Sequence, residues 1–442
     1  MNVEKKVRTT KLYEHQTQAL KIAEGKNRVA FYWDMGLGKT FGGSEKMKEL
    51  GARVNLVICQ KSKVNDWLDH FEKYYPKYIV CDLTDGKDFD RFKANISNHD
   101  YYINVGVINY ELAFRRPKLL DLRDFTLMLD ESSLIQNEVA KRSKFALKLG
   151  ENAANVILLS GTPTGGKYEN LWSQMRLLGW KISKQMYLRQ YVTVEYLDAL
   201  GRSVPIVTGY KNVDRLKRKM RVYGCQFLKT DDVMDLPAQN FIPVKVKQTK
   251  WYKEFRKNRI ISWVDDYDNE NNIVELVGDT TLTKMLYERQ LTGMYSPEKL
   301  QAFKDLVEST NDRLIVFYNF TDELHLMIRI VDELDKPISI VNGKSKDLYE
   351  YENKHDSITF VQYQAGAMGL NLQAANKIIY FTPPLSSELY EQSKKRIHRI
   401  GQEKPCFYYQ LIVAGSIEEK IYNTLAMRRD YTEKLFEKDD NQ

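Results

Sequence analysis

The chain has 442 residues, 43% of them hydrophobic, and its 67 Lys and Arg against 59 Asp and Glu leave a formal net charge of +8. That length supports roughly two or three domains with cores of their own, and the surplus of positive charge is mild support for a polyanionic partner. Three classes are disfavoured: Cys59, Cys81, Cys225 and Cys406 stand too far apart for a zinc site or disulfide framework, no run reaches the roughly 18 apolar residues of a membrane span, and Met1–Lys6 lacks the apolar stretch of a secretory leader.

Buried reduced thiols and no leader predict a cytoplasmic protein, and the richness in Lys, Asn and Tyr hints at an AT-rich genome, bacterial or phage. The first informative stretch is Phe31-Tyr32-Trp33-Asp34-Met35-Gly36-Leu37-Gly38-Lys39-Thr40. An apolar run from Arg28 to Tyr32 predicts a buried strand, Gly36, Leu37 and Gly38 a tight loop, and the chain after Thr40 a helix. A phosphate would meet free backbone N–H groups there, with Lys39 reaching the terminal phosphates and Thr40 holding a magnesium ion. The strict phosphate-loop pattern wants glycine where Trp33 stands, so by itself the stretch also reads as an ordinary turn before a helix.

Apolar, β-branched runs then recur at Val54–Cys59, Tyr78–Cys81, Tyr102–Ile108, Thr126–Asp130 and Val156–Ser160, alternating with helical stretches. That rhythm predicts a parallel sheet covered by helices on both faces, with the chemistry just after each strand. Asp130 and Glu131 fall at such an end: Asp130 can hold the metal through water while Glu131 orients and deprotonates an attacking water. Ser160-Gly161-Thr162-Pro163-Thr164 falls at another. Alone, each reads equally as an acidic cap or a turn.

In this order and at these separations the three motifs resemble the first RecA-like domain of a superfamily-two helicase, and within it the SWI/SNF-type DNA translocases. The resemblance implies ATP and Mg2+ as cofactors. It gives Gln16, in Tyr13-Glu14-His15-Gln16, a contact to the adenine base, and it gives Lys61 and Ser62 (followed by Trp67) and Tyr110, in Val107-Ile108-Asn109-Tyr110-Glu111, contacts to DNA. Ser160 and Thr162 would couple nucleotide state to DNA grip. Ser133 departs from the family, which has histidine there. From Gly165 to Thr230 the strand rhythm breaks and a helical protrusion is expected, about 165–230; its basic run Arg215–Arg221 is either a solvated helix face or a phosphate contact. The domain boundary is placed at 235, before Leu236-Pro237.

Strand-like runs return at Phe241–Val246, Leu314–Tyr318, Ile338–Val341, Ile358–Val361, Lys377–Phe381 and Phe407–Val413, predicting a second sheet domain over 236–442. A mostly helical insertion is expected at about 251–307, with Asp265–Glu275 as a solvated acidic loop, and a bracing helix at about 416–437. On a helix Gln392, Arg396 and Arg399 would share one face, and two guanidiniums there can grip a γ-phosphate held by another domain. A basic amphipathic helix is the plainer alternative. The match to the family at Gln392, Arg396, His398, Arg399, Gly401 and Gln402 favours an arginine-finger pair, with Gln402 and Gly369 near nucleotide and Asn371 near DNA. Thr382, Leu385 and Ser386 depart from the family's Asp and Trp-Asn.

The fold expected is therefore α/β, two tandem RecA-like domains with helical protrusions. The function expected is a bare, monomeric ATP-dependent DNA translocase on double-stranded DNA, catalytic through Lys39, Glu131, Arg396 and Arg399. An ATP-gated DNA clamp that recruits replication or recombination proteins is the alternative, and an RNA helicase a weaker one.

Overall fold

The computed structural model describes residues 11–97, 102–199, 202–233, 235–265, 272–366 and 370–436. Two compact units emerge: one runs to residue 234 and takes in the end of the chain from Asp430, and the other is Asp235–Arg429.

In the first unit β1 (Arg28–Trp33), β2 (Val54–Cys59), β3 (Ile79–Asp82), β4 (Asn104–Asn109), β5 (Thr126–Asp130) and β6 (Asn155–Ser160) alternate with helices, β7 (Val192–Ala199) and β8 (Arg202–Tyr210) follow, and β9 (Cys225–Leu228) closes the series. Seven of them form one sheet in the order β3-β4-β2-β5-β6-β1-β9, every neighbouring pair parallel. Strand residues alternate between two faces, and both are buried. Ala30, Tyr32, Leu56, Ile58, Leu127 and Leu129 pack on one side, and Phe31, Trp33, Val57, Cys59, Met128 and Leu159 on the other. That double burial is why these strands read as unbroken apolar runs.

The second unit repeats the plan with β10 (Gln239–Val246), β13 (Leu314–Tyr318), β14 (Ile338–Val341), β15 (Ile358–Gln362), β16 (Lys377–Tyr380) and β17 (Cys406–Val413) in the order β10-β17-β16-β13-β15-β14, again all parallel. Its insertion holds helices Lys250–Asn258, Thr281–Gly293 and Pro297–Glu308 around an antiparallel hairpin of β11 (Ile260–Asp265) and β12 (Asn272–Val277).

Three expectations need correction. The segment at 165–230 is not wholly helical: it carries the hairpin β7–β8, with a bulge at Thr193/Val194, and the sheet strand β9. β9 is only four residues long, too short to announce itself, and the chain can dock there because Gly224 (φ +84°) lies where a Cβ would come within 2.4 Å of Arg28 O. The acidic stretch is strand at Asp265 and again from Asn272, with 266–271 outside the described residues. The helix carrying Gln392 is Ser387–Lys394 and stops before both arginines. The C-terminal helix, by contrast, runs Ile417–Phe436, where a helix at about 416–437 is expected; residue 437 lies outside the described residues.

Candidate nucleotide and nucleic-acid site

Each element of the first unit's site sits at the carboxyl end of a strand. After β1 the chain turns through Gly36 (φ +88°) and Gly38 (φ +74°) into helix Lys39–Leu50, leaving that helix's first N–H groups for an anion. Trp33, in the position the strict pattern gives to glycine, is the buried last residue of β1, and Gly42 gives it room: a Cβ there would meet the indole at 2.5 Å. The Lys39 ammonium donates to Trp33 O (2.8 Å) and Asp34 O (3.2 Å), carbonyls of its own loop. Thr40 is half-buried beside it.

Gln16 is buried, and its amide braces this loop. Nε2 donates to Leu37 O (3.1 Å) and Gly38 O (3.3 Å), while Oε1 accepts from Tyr13 N (2.9 Å). His15 adds Nε2 against Leu37 O at 3.0 Å. What the structure gives Gln16 is therefore a hold on the phosphate loop.

At the end of β5, Asp130 Oδ2 accepts from the Trp67 indole N–H (2.8 Å) and Oδ1 from Glu131 N (3.1 Å). Burial pushes the Asp130 carboxyl above the usual range, and the Trp67 donor and the Lys39 and Lys63 charges pull it back. Glu131 takes a left-handed backbone (φ +50°), turning its carboxylate out of the strand, with Ser160 Oγ at 3.5 Å from Oε2. Tyr110 is buried, and its hydroxyl donates to Asp130 O at 2.9 Å. Its contribution here is to brace the strand end. Thr162 N donates to Ser160 Oγ (3.2 Å), and Gly161 passes so close to the loop that a Cβ would lie 3.4 Å from Lys39 Nζ. Lys39, Asp130, Glu131 and Ser160 thus share one corner of the unit. Lys61 and Ser62 are exposed on the turn after β2.

In the second unit both arginines lie beyond the helix end, in the turn that follows Lys394. They meet for another reason: Arg396 Nη1 and Arg399 Nη1 converge on Leu370 O, at 3.5 and 3.4 Å, and Arg399 also donates to Asn371 Oδ1. Gln402 pins this turn from within. Its Nε2 lies within reach of Ala375 O (2.8 Å), Gln373 O (3.2 Å) and Ile397 O (3.2 Å). Gly369 lies outside the described residues. The second unit also has a cleft of about 320 Å³, lined by Arg289, Asn319, Gln362, Gln364, Leu385 and Ser386 among others, so two of the three departing positions line this cleft. The third, Thr382, is buried and donates to Glu323 Oε2 at 3.0 Å.

Sequence reasoning missed several of these residues. Gln174, fully buried in helix Trp172–Leu177, joins three site segments; it stands between Ser173 and Met175 in a mixed polar and apolar stretch, and no local pattern marks it. Asp34 Oδ2 accepts from Thr230 N and Oγ1, both at 3.1 Å, tying the loop to the segment just before residue 235; no local pattern announces that pair.

A phosphate-binding loop and a paired carboxylate on one parallel sheet, followed by a second parallel sheet with paired arginines, define a two-unit nucleotide-binding protein of the helicase type. Residues 17–295 match the model of the SNF2-related domain and 298–401 that of the helicase conserved C-terminal domain. The chain belongs to the SNF2-related family. It is 25% identical over 358 residues to the DNA repair and recombination protein RAD26 of Saccharomyces cerevisiae, covering 73% of this chain and 32% of that protein. It is 22% identical over 435 residues to the mouse chromodomain-helicase-DNA-binding protein 1-like, covering 91% and 47%. Among solved structures, the Sulfolobus solfataricus SWI2/SNF2 ATPase core in complex with dsDNA superposes with a TM-score of 0.44 at 19% identity, covering 97% of this chain and 93% of that one. The chain spans less than half the length of these curated relatives. Among the described residues no helix is long and apolar enough to cross a membrane.

Proposed function

We propose that this chain is an ATP-dependent DNA translocase whose hydrolysis is stimulated by DNA. The observation that carries the reading is the gathering of the Lys39 loop, Asp130-Glu131 and the Ser160–Thr164 loop at one corner of the first unit, with Gly161 packed against Lys39. ATP supplies the free energy; Lys39 and the N–H groups of helix Lys39–Leu50 orient its phosphates, and Glu131 holds and deprotonates the attacking water.

Mg2+ suits the residues present. No group of three or more His, Cys, Asp or Glu side chains forms a metal cage among the described residues, and Mg2+ is normally bound by one or two carboxylates with waters and phosphate oxygens. Thr40 and Asp130 are its protein ligands in this reading, and when bound it neutralises phosphate charge. Arg396 and Arg399 of the second unit supply positive charge to the transition state. Lys61, Ser62 and Asn371, all exposed, hold the DNA backbone and so move along it with little regard for sequence.

The test compares ATP turnover with duplex DNA, single-stranded DNA, RNA and no nucleic acid, and follows it with displacement of a third strand from a triplex. Stimulation by duplex DNA with ATP-dependent displacement is the expected result. Stimulation without displacement replaces the motor by an ATP-gated clamp, one that recruits replication or recombination proteins. Stimulation by RNA alone overturns the DNA assignment. K39A should abolish turnover, and R399A should bind nucleotide yet lose about 10³-fold or more in kcat, as arginine fingers do.

A further inference from the structure

Gln174 lies in helix Trp172–Leu177, outside every motif that touches nucleotide or DNA in the reading above, and its side chain is fully buried. Its amide oxygen accepts from Ser132 Oγ (2.8 Å) and Tyr32 OH (2.9 Å), and its amide nitrogen donates to Pro163 O (2.7 Å). These partners come from three separate segments. Ser132 follows Glu131, Pro163 follows Thr162, and Tyr32 immediately precedes Trp33, whose carbonyl holds Lys39. All three bonds are short and inaccessible to water, so a shift of any one partner strains the other two. Filling the volume alone would call for leucine, since a buried amide must find partners for both its ends.

We propose that Gln174 is a positioning residue: it couples the Ser160–Thr164 loop to the strand end carrying Glu131, so that engagement of DNA changes how well Glu131 is placed for hydrolysis. This rests on the translocase reading and names the internal link by which DNA would stimulate turnover. Pro163 moves with the loop, the amide carries that movement to Ser132, and Ser132 is one peptide bond from Glu131. The Tyr32 bond anchors the amide to the sheet and is not on the route.

The experiment measures the factor by which duplex DNA raises ATP turnover in the wild type, Q174L, S132A, the double variant and Y32F, together with thermal unfolding of each. Q174L and S132A should lose tenfold to a hundredfold of the stimulation, the scale on which a misplaced catalytic group costs rate. The double variant should be no worse than Q174L, because both changes break the same link. Y32F should keep stimulation within about twofold of wild type. If Q174L does not fold, S132A, which deletes one hydroxyl, decides alone. Wild-type stimulation in S132A, losses that multiply in the double variant, or a fall in unfolding temperature with unchanged stimulation overturns the role of Gln174 and leaves the translocase reading standing. A wild-type protein that DNA does not stimulate overturns both.

Discussion

At the scale of single residues, the phosphate loop depends on one backbone conformation that only glycine tolerates well. Gly38 has φ +74°, and a Cβ there would meet Gln16 Nε2 at 2.1 Å, so G38A incurs roughly 1–2 kcal/mol of backbone strain and also breaks the brace. Nucleotide affinity, read by titration with a fluorescent ATP analogue, should fall at least about tenfold; unchanged affinity would show that the loop reshapes itself on binding. Asp130 offers a second handle. Burial raises its pKa while the Trp67 indole N–H holds it down, so W67F should raise it further. The acid limb of the profile of kcat/KM against pH should then move to higher pH, whereas an unmoved limb would mean that Asp130 does not govern it.

Among elements, the turn bearing Arg396 and Arg399 lies beyond its helix, which ends at Lys394, and is held by backbone bonds such as His398 N to Lys394 O (3.3 Å) together with the Gln402 side chain. Q402L strips a two-hydrogen amide donor that lies within reach of three carbonyls, at about 1 kcal/mol for each of the two bonds it can make, and should lower kcat more than nucleotide affinity because the guanidiniums lose their seat. Helix Thr321–Glu333 in the same unit has a buried carboxyl near its start. Glu323 Oε2 accepts from Asn319 N, Phe320 N and Thr382 Oγ1, yet burial pushes its pKa up from the usual 4.5 to about 7, against the pull of these bonds and of Lys299. The folded state therefore binds this proton more tightly than the unfolded chain. Its contribution to stability is full below about pH 4.5, shrinks as pH rises to about 7 and is constant above that, a loss on the order of 3 kcal/mol. Urea midpoints at pH 5 and pH 8 should differ more for wild type than for E323Q; equal differences would mean that the carboxyl titrates normally.

For the whole molecule, a surplus of eight positive charges and exposed Lys61 and Ser62 on the first unit predict binding through phosphates. Affinity for duplex DNA should fall steeply with salt, with a slope of about −0.9 in log–log form for each phosphate neutralised, and K61A should make that slope shallower by about one. A slope that K61A leaves unchanged would place the contact elsewhere.

The sequence by itself determined the two parallel sheets, because strands buried on both faces must be written as unbroken apolar runs, and it marked the strand ends where chemistry collects. β2, β5, β13 and β14 run where their apolar stretches do. Local pattern could not reveal interactions set by distant partners. Four-residue β9 exists because β1 offers an edge, β7 and β8 pair with each other as a two-stranded ribbon, and Arg396 and Arg399 are brought together by the carbonyl of Leu370 and not by helical spacing. Tertiary structure alone decided that Gln16 braces the loop, that Tyr110 holds up Asp130 from beneath, and that one buried glutamine joins three segments. A buried hydrogen bond is a statement about two places in the chain, and a sequence shows each place only with its own neighbours.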